Sequence, residues 1–152
     1  MRYAVDIIAK YTHLLASQNE EHLERHANKY IVIWRLSYPV GLAFPGGGIE
    51  LGEDKVMAAV REYNEETNFM IIDPHQSLTW LDRIYDKPGR DPRGPVTSYV
   101  AYGDIHSGTP KNEPGKTEVL FLSKEEILTR GREFVFDHFQ MFLDYLEESK
   151  VK

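Results

Sequence analysis

The sequence predicts an α+β fold, and three observations carry that prediction. Short runs of β-branched and aromatic residues recur along the chain, most clearly at 30–36 and 96–102. A stretch free of glycine and proline, 55–67, has helical periodicity and lies just beyond three consecutive glycines. Near the end, Phe139, Phe142, Leu143 and Leu146 fall at the i, i+3, i+4, i+7 spacing of an apolar helix stripe. Strands therefore group before and after one central helix, and a second helix closes the chain. With 152 residues the sequence suits one domain, 1–152, with a proper core.

Residues 3–11 alternate well enough for a first strand, with Asp6 polar and Ile7 and Ile8 apolar. Residues 18–29 are polar and read as a long turn or short helix. His22 and His26 stand four apart there, and with no third ligand in view they read as a surface pair. The run Tyr-Ile-Val-Ile-Trp-Arg-Leu at 30–36 is the clearest strand of the first half. Leu42, Ala43 and Phe44 make a short strand that feeds a glycine loop at 46–48. Asp54 is a good N-cap for the helix over 55–67. Asp73 and Pro74 start a turn, 78–85 reads as a strand, and 86–95 is a loop rich in proline, glycine and charge. A strand over 96–102, a polar loop over 103–116 and a strand over 117–122 follow. Ser123 with Glu126 is a capping-box signature for a short helix, and the last helix spans 137–148. The sequence has no internal repeat and no low-complexity segment.

Composition excludes several function classes. The chain has no cysteine, so disulfides, thiol nucleophiles and zinc–thiolate sites are ruled out. Asp6 and Lys10 interrupt the first apolar run, so it is not a signal peptide. No apolar run approaches the roughly 20 residues of a membrane span, and a cytoplasmic location is the default expectation. A formal net charge of −6 argues against non-specific binding to nucleic acid or membrane. An anionic substrate would then need bound metal and a few placed arginines or lysines to invert the local field.

The chemistry concentrates between Gly46 and Phe69. Three glycines after Pro45 let backbone approach a ligand closely. On a helical wheel at about 100° per residue, Val56, Ala59, Val60, Tyr63 and Thr67 gather on one side. Glu62, Glu65 and Glu66 gather on the other, at i, i+3, i+4, with small Ala58 beside them. Acidic helix faces are commonly just solvated. Here, three carboxylates aimed at one point beside a glycine loop repel one another unless a cation sits among them. All-oxygen ligands suit Mg²⁺ or Mn²⁺ better than zinc.

This stretch resembles the Nudix box, Gly-x5-Glu-x7-Arg-Glu-U-x-Glu-Glu-x-Gly-U, where U is bulky and apolar. Gly47, Glu53, Arg61, Glu62, Glu65, Glu66 and Phe69 match in register. Tyr63 stands where an aliphatic residue is usual and still supplies apolar bulk. Asn68 replaces the final glycine, and asparagine tolerates the left-handed conformation that ends a helix. The resemblance implies a Nudix α/β/α sandwich with a mixed sheet. It implies a Mg²⁺-dependent hydrolase in which Glu62, Glu65 and Glu66 bind metal with help from the Gly46 or Gly47 carbonyl. Arg61 would orient the cluster by pairing with Glu53, and Glu62 and Glu66 would be essential to catalysis. Some members draw a catalytic base from a loop outside the box, and Glu113 and Glu118 flank that loop here.

Substrate choice lies outside the box. The stretch 89–94, Gly-Arg-Asp-Pro-Arg-Gly, and the trio Phe136, Asp137 and His138 resemble the ADP-ribose pyrophosphatase-like branch. Where that branch usually has an arginine after the glycine, this chain has Pro95. Arg90 and Arg93 are the expected phosphate contacts. Trp34, Phe44, Trp80 and Tyr85 are candidates for base stacking, with core packing as the plainer reading. The resemblance implies a small-molecule nucleotide substrate, ADP-ribose first, cleaved to AMP and ribose 5-phosphate, and a homodimer as the common assembly. A nucleoside triphosphate pyrophosphohydrolase is the alternative enzyme. A non-catalytic ADP-ribose sensor is the alternative from another class. Such regulators often carry a degraded box and a second domain, whereas every box carboxylate is intact here.

Overall fold

In the computed structural model, residues 2–12, 25–105 and 108–150 are described. Strand β1 (Arg2–Tyr11) organises the sheet. One edge of β1 runs parallel to β6 (Val96–Ile105), from Arg2 opposite Val96 to Tyr11 opposite Ile105. Its other edge is shared. Ala4 to Asp6 pair antiparallel with β4 (Gly46–Gly48), and Ala9 and Lys10 pair with β2 (Tyr30–Arg35). Strand β2 also pairs with β3 (Gly41–Ala43) and β7 (Thr117–Leu122), and β6 pairs with β5 (Thr79–Tyr85). The result is a mixed sheet of seven strands.

The alternation of β1 builds two cores, one on each face. Val5, Ile7 and Ala9 pack with helix α1 (Lys55–Thr67), against Ala58, Ala59 and Tyr63. Ile8 points the other way, toward Met141, Phe142 and Tyr145 of the last helix. Between these helices lie α2 (Pro74–Ser77), α3 (Lys124–Thr129) and a 3₁₀ turn at Gly131–Glu133; the last helix is α4 (His138–Ser149). Each fully buried Phe or Met contributes about 2–3 kcal/mol of transfer free energy. The layering is helix, sheet, helix. Among the described residues no helix is long and apolar enough to cross a membrane.

Several expectations need correction. The glycines at 46–48 form a strand, because their backbone pairs with β1 even though glycine has little strand propensity. On α1, Ala59, Tyr63 and Thr67 are buried as expected and Val60 packs beside them, but Val56 is only half-buried, and Ala58 and Glu66 of the acidic side are buried as well. Ala58 and Ala59 pack in the same core as Val5, Ile7 and Ala9 of β1, and Glu66 turns inward to the Gly46 N–H. On α4 the buried set is His138, Met141, Phe142, Asp144 and Tyr145, and Leu143 is 36% exposed. The turn at Asp73 continues into α2, and β6 runs on to Ile105. A Cβ on Gly103, within β6, would come 2.5 Å from the Ser77 carbonyl oxygen, so glycine is required there by close approach. The segment 13–24, with His22, lies outside the described residues, and the His26 ring stacks on Phe121 at 4.1 Å.

The helix ends follow their sequence signals. The Asp54 carboxylate accepts the Met57 N–H, and Ser123 and Glu126 form a reciprocal capping box. Asn68 ends α1 in the left-handed region at φ 66°, with its side-chain amide donating to the Thr109 carbonyl at 2.9 Å. Asn68→Gly suits the left-handed backbone and loses only one exposed hydrogen bond to Thr109, so it should cost clearly less than Asn68→Val. Asn68→Val should cost about 1 kcal/mol or more, because a β-branched residue is strained at positive φ. Thermal melts of both variants check this, and equal melting points would contradict it.

Candidate active site

The site starts from β4. Register places Gly47 opposite Val5, so Gly46 and Gly48 turn their backbone polar groups away from β1 toward α1. The Gly46 N–H donates to Glu66 Oε1 at 3.0 Å, and the Gly48 carbonyl accepts from Arg61 Nη2 at 2.9 Å. In an extended strand N–H and C=O of one residue share an edge, so the Gly46 carbonyl also faces the helix. No side chain fits between. A Cβ on Gly47 would lie 2.3 Å from Glu62 Cδ, and one on Gly46 would lie 2.0 Å from the Val5 carbonyl oxygen.

Arg61 ties the carboxylates together. Its Nε and Nη2 donate to the two Glu53 oxygens at 2.7 and 2.8 Å, and Nη1 donates to Glu62 Oε1 at 2.7 Å. Glu65 lies 3.4 Å from Nη1 and Glu50 3.6 Å. Hydrogen bonding to Arg61 pulls the Glu53 carboxyl down to about 2. Glu53 in turn accepts the Glu50 N–H at 2.8 Å, which fixes the turn before the helix. Glu62 moves the other way, raised chiefly by burial. Glu66 is buried, and burial pushes its carboxyl up to about 8 against the lowering effect of the Gly46 N–H. Among the described residues no three carboxyls close on one point, contrary to the wheel. Arg61 draws Glu62 and Glu65 to itself, while Glu66 turns inward to β4.

Beside Glu66 opens a cavity of about 190 Å³. Its polar floor holds Asp6, Ser98, Arg90 and His138. The His138 Nδ1 accepts the Phe44 N–H at 3.0 Å, which leaves the proton on Nε2, 3.5 Å from Asp6 Oδ1. Burial holds His138 neutral, with its pKa lowered to about 3, and raises Asp6 to about 7. The arginines of the 86–95 loop are not free. Arg90 grips Asp137 through Nε and Nη2 at 2.9 and 2.7 Å, and gives Nη1 to Ser98 Oγ at 3.0 Å. Its guanidinium is buried and spent on structure, in place of the open phosphate contact expected for it. Arg93 holds Asp91 through Nε at 3.1 Å and Nη2 at 2.9 Å, and Arg2 shares that carboxylate at 3.0 Å. The Arg93 side chain stays partly exposed on the cavity wall.

A NUDIX domain model matches residues 13–142. The chain belongs to the Nudix family. It is 36% identical over 121 residues to an ADP-ribose pyrophosphatase of Methanocaldococcus jannaschii, an overlap of 78% of this chain and 66% of that protein. The chain therefore spans just under two thirds of this curated relative. A bifunctional NMN adenylyltransferase/ADP ribose pyrophosphatase from Francisella tularensis, complexed with AMP and a manganese ion, superposes with TM-score 0.76 at 22% identity, over 97% of this chain and 41% of that one. The NUDIX domain of Shewanella oneidensis NrtR complexed with ADP ribose gives TM-score 0.71 at 16% identity, over 96% and 86%. These likenesses show that the helix–sheet–helix layering is the Nudix fold.

The Nudix motif accounts for α1 and β4 and leaves much of the cavity unread. The trio at 136–138 now has a structural job: Asp137 anchors Arg90 and His138 anchors Phe44. Asp6 and Arg35 line the cavity and were passed over as strand residues; a lone polar residue inside a strand was the available signal for each. Phe44 and Tyr85 are buried in the core, and Trp34 and Trp80 are half-buried beside it, so the plainer reading of these rings fits. Glu118 is exposed on β7, whereas the charge of Glu113 bears on both Glu62 and Glu66.

Asp6 and Glu66 hold protons in the folded protein that the unfolded chain would release. Their contribution is full below the ordinary carboxyl range and is lost as pH rises through about 7 and about 8 respectively. His138 acts oppositely, favouring folding increasingly as pH rises from about 3 to its ordinary 6.5. Above that value only the carboxyl effect remains. Metal-free protein should be less stable at about pH 8.5 than at about pH 6.5, and Glu66→Gln should flatten the slope. Urea melts in EDTA at the two pH values check this; a midpoint that rises between them would contradict the assigned protonation.

Proposed function

We propose that this chain is a divalent-metal-dependent pyrophosphohydrolase that cleaves a nucleoside diphosphate linked to a second group, with ADP-ribose giving AMP and ribose 5-phosphate. One observation carries the reading. Glu66 is buried in the wall of a polar cavity, accepts the Gly46 N–H, and has no cationic partner among the described residues. A carboxylate so placed is stable as an anion only with a cation beside it. Glu62 and Glu65, now drawn to Arg61, would have to swing toward Glu66 and the Gly46 carbonyl to make with them an all-oxygen donor set suited to Mg²⁺ or Mn²⁺. Such ions, when bound, neutralise phosphate charge and lower the pKa of water.

The chain's own residues supply the rest. Arg61, fixed by Glu53, holds Glu62 and the Gly48 carbonyl in register. For the base that takes the proton of the attacking water we propose Glu113, whose charge bears on both Glu62 and Glu66. Arg93 offers charge on the cavity wall, and Arg90 positions the floor through Ser98 and Asp137. The 36% identity to a pyrophosphatase named for ADP-ribose supports that substrate.

With Mg²⁺, ADP-ribose should be turned over with kcat/KM at least ~10-fold above that for any nucleoside triphosphate, a margin of about 1.4 kcal/mol in transition-state binding. Glu66→Gln can keep the Gly46 hydrogen bond and hence the fold, yet should lower kcat at least ~10²-fold. Chromatography of products from a panel of ADP-ribose, dinucleotides, sugar nucleotides and triphosphates, with circular dichroism of the variant, measures both. Dominant release of pyrophosphate from a triphosphate would overturn the substrate. Near-normal activity of Glu66→Gln would overturn the metal site. Tight binding of ADP-ribose without turnover at any metal concentration would make the protein a sensor.

A further inference from the structure

The cavity has one guanidinium with no carboxylate of its own. Arg90 is paired with Asp137, and Arg93 and Arg2 share Asp91. Arg35, at the end of β2, is half-buried and lines the same cavity as Glu66 and the glycine strand. Its Nε donates to the Pro39 carbonyl at 2.9 Å and Nη2 to the Tyr38 carbonyl at 3.3 Å. Among the described residues it makes no ion pair, and its Nη1 makes no hydrogen bond. Its Cζ lies 5.2 Å from the centre of the Phe136 ring, over which Arg93 also lies at 5.1 Å. Two guanidiniums are thus gathered on one aromatic ring, and burial and Arg93 weigh against the Arg35 charge more than Glu66, Asp91 and Asp6, none of which it pairs with, favour it.

Two carbonyls and a ring fix the guanidinium without neutralising it. That arrangement leaves a pre-oriented fork of donors for an anion, and a guanidinium matches phosphate oxygens better than an ammonium does. We propose that Arg35 is a phosphate-binding residue of this site, contacting a phosphate of the substrate and of its mononucleotide product, with Phe136 as the brace that holds it. The proposal rests on the reading of the cavity as a nucleoside-diphosphate site, but it concerns binding and needs no bound metal. Arg35 belongs to the sequence region before the box, and its role adds a cationic contact to the carboxylate side of the site.

The test is calorimetric titration in EDTA with AMP and with adenosine, which differ only in the phosphate. Wild-type protein should bind AMP more tightly than adenosine. Arg35→Gln should weaken AMP about 10- to 100-fold, the range for a charge-assisted hydrogen bond, and leave adenosine unchanged. Arg35→Lys should fall between the two, because it keeps the charge without the fork, and it decides the matter if Arg35→Gln does not fold. Phe136→Leu should weaken AMP less than Arg35→Gln does. An AMP affinity in Arg35→Gln within about 3-fold of wild type would overturn the proposal, as would equal losses for AMP and adenosine, which would mean that Arg35 only braces the 36–40 turn. Failure of the wild type to bind AMP in EDTA would overturn it as well. Failure of the reaction is a separate outcome: wild-type protein that binds AMP through Arg35 but hydrolyses no diphosphate would end the proposed activity and leave the phosphate site standing.

Discussion

Helix α1 comes near enough to β4 for Glu66 to accept the Gly46 N–H, and a single methyl group would prevent it. This contact sets the rest of the site. It needs β4 to be a strand, because only strand geometry turns the polar groups of alternate residues to one edge. It needs β1 on the other edge to hold β4 in place, and the register of β1 then fixes Asp6 opposite Gly46. It is set beside a core in which Ala58 and Ala59 of α1 pack with Val5, Ile7 and Ala9 of β1. Arg61 closes the same contact from outside by reaching the Gly48 carbonyl, so one residue both balances the acidic face and locks helix to strand.

The charges of the site sort into two groups. Arg61 with Glu53, Glu62 and Glu65, Arg90 with Asp137, and Arg93 and Arg2 with Asp91 are matched. Glu66, Asp6 and Arg35 are not matched by an opposite full charge, since His138 is held neutral beside Asp6. All three line one cavity. Burial keeps Glu66 and Asp6 protonated without a ligand, so the fold gathers in one place, apart from its paired charges, two acids and a guanidinium whose charged forms a bound ligand can stabilise. In a chain of net charge −6, the anionic substrate proposed above would be accommodated by this local arrangement rather than by the overall field.

Much of this was legible in the sequence because it is local. The box register, the Asp54 cap, the left-handed Asn68 and the Ser123 capping box all depend on residues within a few positions of one another. The glycine run reads as a loop because no local rule says that three glycines will find a partner strand about forty residues upstream, as Gly46 finds Asp6. Helix periodicity sets Ala59, Tyr63 and Thr67 of α1 and Phe139, Phe142 and Leu146 of α4 toward the core, and it misses Ala58, His138 and Met141 there for a similar reason. Apolarity ranks valine and leucine above alanine and histidine, but the core on β1 and the Phe44 N–H decided the packing. The cavity was the least legible part. Arg90 meets Asp137 across 47 positions and His138 meets Phe44 across 94, and neither pairing has a spacing rule.

Phe136 shows how the fold and the cavity depend on each other. Its φ of 57° is unfavourable for a bulky residue, at a cost of about 1–3 kcal/mol. The two residues after it are held from opposite sides: Asp137 by the bidentate Arg90, and His138 by Phe44 of the core. These ties belong to the 86–95 loop and to the strand that leads into β4, so the turn is over-determined by elements that already shape the site. The strained backbone at Phe136 presents its ring to Arg35 and Arg93 on the cavity wall. An unstrained turn would send the ring elsewhere and leave both guanidiniums without it. The motif at 136–138 is thus a clamp whose two polar members fix the chain so that its aromatic member can stand in the pocket.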